Sequence, residues 1–216
     1  KERYGFPATH SARYLGNKND PEFTYQHSRR IAKLLREVGI NFNFAPVLDL
    51  DIHPDSPALG KKERCISDDP AIVIEHAKQM IKAYHSHELL SCLKHFPGHG
   101  STDEDSHNDF VDVSKSWSEL ELNPYKFFIN NNMTDAILTA HIFNSRLDKE
   151  YPATLSKNII TDLLRDKLNY GGVVISDDLD MGAIRLNYTY EQAVELAINA
   201  GVDIILNSNV INYNED

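Results

Sequence analysis

The feature that most constrains this chain is an alternation. Short, near-continuously apolar runs rich in β-branched and aromatic residues are separated by longer amphipathic segments. Repeated βα units read this way, because a parallel strand is covered on both faces and loses the in-and-out pattern of a half-exposed one. Five such runs occur, at residues 42–50, 90–96, 136–143, 172–179 and 202–207. Helical candidates lie at residues 23–38, 71–88, 117–131, 157–168 and 189–200. Ser156 stands at an N-cap position before the fourth of these, and Gly39 and Gly201 follow helices as C′ residues do. With right-handed crossovers the pattern predicts a parallel α/β sheet or barrel. Five repeats in 216 residues do not close an eight-stranded barrel, which needs about 250 residues, so part of such a barrel is expected.

The remaining composition narrows the partners. With 41% apolar and 25% charged residues, the chain suits a folded domain with one core. A net charge of -10 without a Lys or Arg cluster argues against nucleic acid and anionic membranes, and points to a neutral or polar small ligand. Cys65 and Cys92 are far apart and outside any CxxC pattern, so neither a disulfide framework nor a thiolate zinc site is indicated. No stretch reaches the roughly 18 apolar residues of a membrane span, and Lys1 to Gly5 lacks the apolar segment of a signal peptide. The compartment stays open, with the cytoplasm favoured over secretion, and a monomer without cofactor or metal is expected.

Reactive groups should gather at the polar ends of the strands, where barrel loops converge on a rigid frame. The runs end in Asp49 and Asp51, in Lys94-His95-Phe96-Pro97-Gly98-His99-Gly100, in His141, and in Ser176-Asp177-Asp178. Singly, each has a bland reading: a strand-end Asp often caps a helix, and a His beside apolar residues is usually hydrogen-bonded in the core. Their joint placement weakens it. The long segment 51–62, with Pro54, Pro57 and Gly60, reads as a surface loop with a binding role. Residues 94–107 hold three histidines, two glycines and three acidic residues in fourteen positions. Gly98 and Gly100 allow a sharp backbone, and the polar stretch 101–108 is expected to form a mobile loop over the strand end. Within it Asp105 and His107 are close enough in sequence to form an acid/base dyad.

The run Lys94 to Thr102, followed by Asp105-Ser106-His107, resembles the signature of bacterial β-N-acetylglucosaminidases of glycoside hydrolase family 3. Similar likenesses occur in Asn43-Phe44-Ala45-Pro46-Val47-Leu48-Asp49, in Glu63-Arg64-Cys65 before Asp69-Pro70, and in Pro152-Ala153-Thr154-Leu155-Ser156. Gly172 to Leu179 with Met181 resembles the family as well, and the likeness covers nearly the whole chain in the family's order.

The resemblance implies a TIM-type (β/α)8 barrel, here one catalytic domain over residues 1–216, truncated at both ends and covering about the last five strands. It implies a retaining glycosidase in which Asp177 is the nucleophile, His107 the general acid/base and Asp105 its support. Arg64, Lys94, His95 and His141 are then candidates for binding an N-acetylglucosaminide, with peptidoglycan fragments as the suggested source. The three upstream strands and the Asp-x-Glu-Gly-Gly-Arg segment of relatives are not in the sequence, so an incomplete sugar pocket is expected. Three alternatives stay open: a phosphorylase using the same intermediate, a metal-dependent hydrolase built on His95, His99, Asp105, His107 and His141, and a sugar-binding module without turnover.

Overall fold

The apolar runs come together as a parallel sheet with helices against it. The computed structural model describes residues 7–102 and 111–208. In chain order the regular elements are α1 (Ala12–Lys18), α2 (Pro21–Glu37), β1 (Phe42–Asn43), α3 (Pro70–His85), β2 (Leu90–Phe96), β3 (Val111–Asp112) and α4 (Asn123–Asn130). There follow β4 (Ala136–Thr139), β5 (Ile142–Phe143), a π-helical segment (Asn158–Lys167), β6 (Val173–Ile175), α5 (Gly182–Arg185) and α6 (Tyr190–Ala200). Among the described residues no helix is long and apolar enough to cross a membrane.

The main sheet has the order β1-β2-β4-β6, every pair parallel. Alternate residues serve two environments, as the two-residue period of a strand requires. Leu93, Ile137 and Val174 join the large core shared with the helices. Their neighbours Cys92, Ala136, Leu138 and Ile175 pack with Phe42, Phe44 and Leu206 on the other face. Both faces are apolar, which is why the runs carry no alternation. The arrangement is that of a barrel segment.

Local chemistry sets the helix boundaries. Asp20 and Asp69 accept from Phe23 N and Ala71 N at 3.0 and 2.8 Å, each just before a proline in the first turn. Thr189 and Gln192 form a reciprocal capping box at α6, which ends on Gly201 at φ 106°. The expected cap at Ser156 is present as a hydroxyl accepting from Ile159 N at 3.1 Å, although the helix it starts is wound as a π-helix.

Four expected runs differ from the strands observed, that at 172–179 in being strand only over Val173–Ile175. The first is regular only over Phe42–Asn43; Pro46 has no N–H to give, and parallel pairing resumes at Val47 opposite Lys94. The third divides at Ala140 and His141, so that β4 stays in the main sheet while β5 pairs with β3 in a separate two-stranded sheet. The cause is Thr154, whose backbone N–H donates to Ala140 O at 3.2 Å. The last run, 202–207, is not a strand but lies along β6 through the single bridge of Ile204 to Ile175.

The chain leaving β2 is folded tightly against its neighbours. Gly98 lies at φ 115°, and a Cβ there would stand 2.5 Å from the Glu121 side chain. At Gly100 a Cβ would stand 1.9 Å from Leu50 O, so only glycine lets this segment rest on the end of the first run. Gly100 N–H donates to Glu121 Oε2 at 2.8 Å, and the Trp117 indole donates to Pro97 O at 3.2 Å.

Glu121 is 1% exposed, and burial pushes its carboxyl up from 4.5 to about 7. A carboxyl with a raised folded pKa binds its proton more tightly in the folded protein. Its contribution to stability is therefore complete below pH 4.5 and lost as pH rises through about 7. The shift corresponds to about 3 kcal/mol. Urea unfolding of wild type and Glu121→Gln should show the difference in stability moving toward the Gln variant by up to about 3 kcal/mol between about pH 4 and about pH 8. A difference independent of pH would contradict this account of Glu121.

Candidate active site

The ends of β2 and β6 and the loop before α3 enclose a cavity of about 100 Å³, lined by Ala58, Leu59, Arg64, Lys94, His95, His99, Asp177 and Met181. Four of the residues singled out from the sequence, Arg64, Lys94, His95 and Asp177, therefore meet at one place. A larger cavity of about 550 Å³, between residues 145–158 and the end of α6, contains none of them.

The floor of the cavity is organised by Asp49, which is fully buried at the end of the first run. Its Oδ1 accepts from His95 N at 3.1 Å and His99 N at 2.8 Å, and its Oδ2 faces His95 Nδ1 at 2.6 Å. Burial alone would raise this carboxyl, but His95 and His99 outweigh it and hold the pKa down at about 2. An ionised Asp49 requires a proton of His95 on Nδ1, and Nε2 faces a group that can only donate. Arg64 supplies the donor: its guanidinium lies 3.5 Å from His95 Nε2 and also donates to Ala58 O at 3.1 Å. The loop that carries Arg64 is held by a fork from α1, in which Arg13 reaches the two Asp51 oxygens at 2.6 and 2.9 Å.

His99 is buried beside Asp49, with Nδ1 2.9 Å from Thr102 Oγ1, and burial lowers its pKa to about 4. It is a neutral wall of the cavity at neutral pH. Burial, aided by the neighbouring Arg64, also lowers the Lys94 pKa, while Asp177 opposes that shift.

The two adjacent acids at the end of β6 have different surroundings. Asp178 is occupied: its carboxylate accepts from Ser208 N at 2.9 Å, from Asp180 N at 3.1 Å and from the Ser208 hydroxyl. Asp177 faces the cavity and accepts from Asp178 N at 2.9 Å. Burial works to raise its pKa, but His141, His95, the Asp178 N–H and Lys94 together bring it below the ordinary value. The carboxylate at the cavity is thus kept ionised by positive and N–H neighbours, although it is enclosed.

His141 does not line the cavity. It is 1% exposed behind Asp177, with Nδ1 2.8 Å from Thr154 Oγ1 and Nε2 2.8 Å from Asp178 O. Asp105 and His107 lie outside the described residues. Among the described residues no cluster of three or more His, Cys, Asp or Glu side chains is arranged to hold a metal ion. Of the histidines considered as ligands, His95 is bonded to Asp49, His99 to Thr102, and His141 to Thr154 and the Asp178 carbonyl.

Sequence reasoning left the supporting residues without roles. Asp49 was visible as a polar strand end and the last residue of a motif, and Thr139 and Thr154 carried no signal beyond lying at or near a strand end or within a motif. The 51–62 loop was visible as a binding candidate, and its Ala58 and Leu59 do line the cavity.

Comparison with known proteins identifies the family. The family model described as the glycosyl hydrolase family 3 N-terminal domain matches residues 5–214. Beta-hexosaminidase A of Pseudoalteromonas piscicida is 37% identical over 190 residues, covering 82% of this chain and 31% of that protein. Beta-hexosaminidase of Tolumonas auensis is 37% identical over 173 residues, 79% of this chain and 50% of that protein. Among solved structures, a family 3 β-N-acetylglucosaminidase from Paenibacillus sp. FPU-7 superposes with a TM-score of 0.88 at 36% identity, covering 94% of this chain and 39% of that one. The β-N-acetylglucosaminidase of Thermotoga maritima does so at 0.79 and 35% identity, over 96% of this chain and 44% of that one. The chain therefore spans about a third to a half of the length of these curated relatives, from 31% to 50%. A match of the family model to almost the whole chain establishes that it belongs to the glycosyl hydrolase family 3 N-terminal domain family.

Proposed function

We propose that the protein containing these residues is a retaining glycoside hydrolase that removes terminal, non-reducing, β-linked N-acetylglucosamine. The observation that carries the reading is the single ionised carboxylate of Asp177 at a cavity lined by Arg64, Lys94 and His95. The relatives named β-hexosaminidase support the substrate class. Fragments derived from peptidoglycan are the natural substrate we favour.

The chemistry follows from the groups available. In the first half, Asp177 Oδ bonds to the anomeric carbon while the glycosidic C–O bond breaks, and the His107 imidazolium gives its proton to the leaving oxygen. In the second half, His107 takes a proton from water, the resulting oxygen bonds to the anomeric carbon, and the bond to Asp177 breaks. In this reading Asp105 is the carboxylate that supports His107 as acid and base. Arg64, Lys94 and His95 bind sugar hydroxyl or acetamido groups. Of these, the Arg64 fork and the Lys94 ammonium are donors, and His95 Nε2 is an acceptor that can trade Arg64 for a sugar hydroxyl. Enclosure strengthens each of these bonds relative to water.

Asp177→Ala should lower kcat on an aryl N-acetylglucosaminide by at least about a thousandfold. Turnover within about tenfold of wild type would remove Asp177 from the role. The pH dependence of kcat/KM should be bell-shaped. Because Asp177 is held below its ordinary value of 3.8, its protonation removes activity only below that pH, whereas loss of the His107 imidazolium sets the alkaline limb. A profile that stays flat from about pH 5 to about pH 9 would contradict the role of His107.

A further inference from the structure

Behind the cavity, three buried side chains connect the ends of β4 and β6. Asp177 N–H donates to Thr139 Oγ1 at 3.3 Å, Thr139 Oγ1 lies 2.7 Å from Thr154 Oγ1, and Thr154 Oγ1 lies 2.8 Å from His141 Nδ1. The other ring nitrogen, Nε2, lies 2.8 Å from Asp178 O. Thr139 and Thr154 are 0% exposed and His141 is 1% exposed.

Proton accounting gives this chain a direction. The Asp178 carbonyl can only accept, so Nε2 carries a proton. Burial lowers the His141 pKa, which leaves Nδ1 bare and in need of a donor at neutral pH. Thr154 is the donor, and since a hydroxyl has one proton, its oxygen accepts from Thr139; the Thr139 oxygen in turn accepts from Asp177 N–H. The Thr154 hydroxyl oxygen also lies 2.9 Å from Ala140 O, but that carbonyl has the Thr154 backbone N–H as a donor at 3.2 Å, whereas the bare Nδ1 has no other donor than the hydroxyl. The path starts on the N–H of Asp177 and ends on the C=O of Asp178, so it grips the backbone on both sides of the peptide that joins the two acids. Asp177 Oδ1 accepts from the N–H of that same peptide at 2.9 Å.

We infer that Thr139, Thr154 and His141 are positioning residues, which through this closed chain of hydrogen bonds fix the aim of the Asp177 carboxylate. Fixing the reacting oxygen acts on the chemical step more than on sugar binding, because none of the three residues lines the cavity. The inference rests on Asp177 as nucleophile and adds the groups that hold it.

The test uses the full natural protein carrying these residues. Thr154→Val removes the donor to Nδ1 with little change of shape, Thr139→Val breaks the chain at its other joint, and Thr154→Ser keeps a hydroxyl. Both Val variants should lose about tenfold in kcat on an aryl N-acetylglucosaminide with KM changed by less than about twofold, and Thr154→Ser should restore kcat to within about twofold. Nitrogen NMR of the His141 ring supplies a readout that needs no turnover. Wild type should show the proton on Nε2 and a hydrogen-bonded Nδ1; Thr154→Val should move the Nδ1 signal toward that of an unbonded imidazole nitrogen, and Thr154→Ser should return it. Unchanged kcat in both Val variants, a proton on Nδ1 in wild type at neutral pH, or an Nδ1 signal that Thr154→Val leaves in place would overturn the inference. Full activity in Asp177→Ala would instead remove the proposed nucleophile, and the ring signal would still report on the hydroxyl chain.

Discussion

Three N–H groups converge on the buried carboxylate of Asp49, and the arrangement of the strand ends follows from satisfying it. An enclosed charge is tolerated only when its oxygens are bonded, and here the donors are the backbone of His95, the ring of His95 and the backbone of His99. The same bonds that stabilise Asp49 fix the tautomer of His95 and turn its Nε2 toward the cavity. They also draw the chain after β2 across the end of the first run, where Gly100 passes too close to Leu50 O for any side chain. One carboxylate thereby sets the floor, one wall and the path of the chain from Phe96 to Gly100.

At the opposite wall, adjacent acids are separated by their surroundings rather than by their chemistry. Asp178 is used up by Ser208 and Asp180, which tie β6 to the segment that follows α6. Asp177 is left with one backbone donor and a set of cationic or imidazole neighbours, which favour its charged form without covering it. A nucleophile needs this combination: ionised, aimed and accessible to the sugar. The structural acid and the acid proposed to react are adjacent in the same turn of chain.

Much of this was legible in the sequence, and the rest failed for identifiable reasons. The run at 90–96 matches β2, that at 172–179 is strand only over Val173–Ile175, and the caps at Gly39 and Gly201 read clearly because a positive φ favours glycine. The division of the run 136–143 was invisible, since Ala140 and His141 are no less compatible with a strand than their neighbours. The break comes from Thr154, thirteen residues away from His141. α1 and the β3 and β5 pair are too short to show a period. In the site, Arg64, Lys94, His95 and Asp177 could be named from motifs; His141, also named, lies off the cavity, and Thr139 gains its partners only when β4 and β6 are brought side by side. A hydroxyl in a run of apolar residues says nothing until its partner is known.

The central claim is that Asp177 becomes covalently attached to the sugar. A fluorinated N-acetylglucosaminide with a good leaving group, which slows breakdown of the intermediate more than its formation, allows that bond to be caught. After reaction, proteolysis and mass spectrometry, the account predicts one added sugar mass per active protein, carried on the peptide containing Asp177 and located on that residue by fragmentation. A sugar attached to a different carboxylate, or an active protein that turns the reagent over without ever carrying it, would contradict the account.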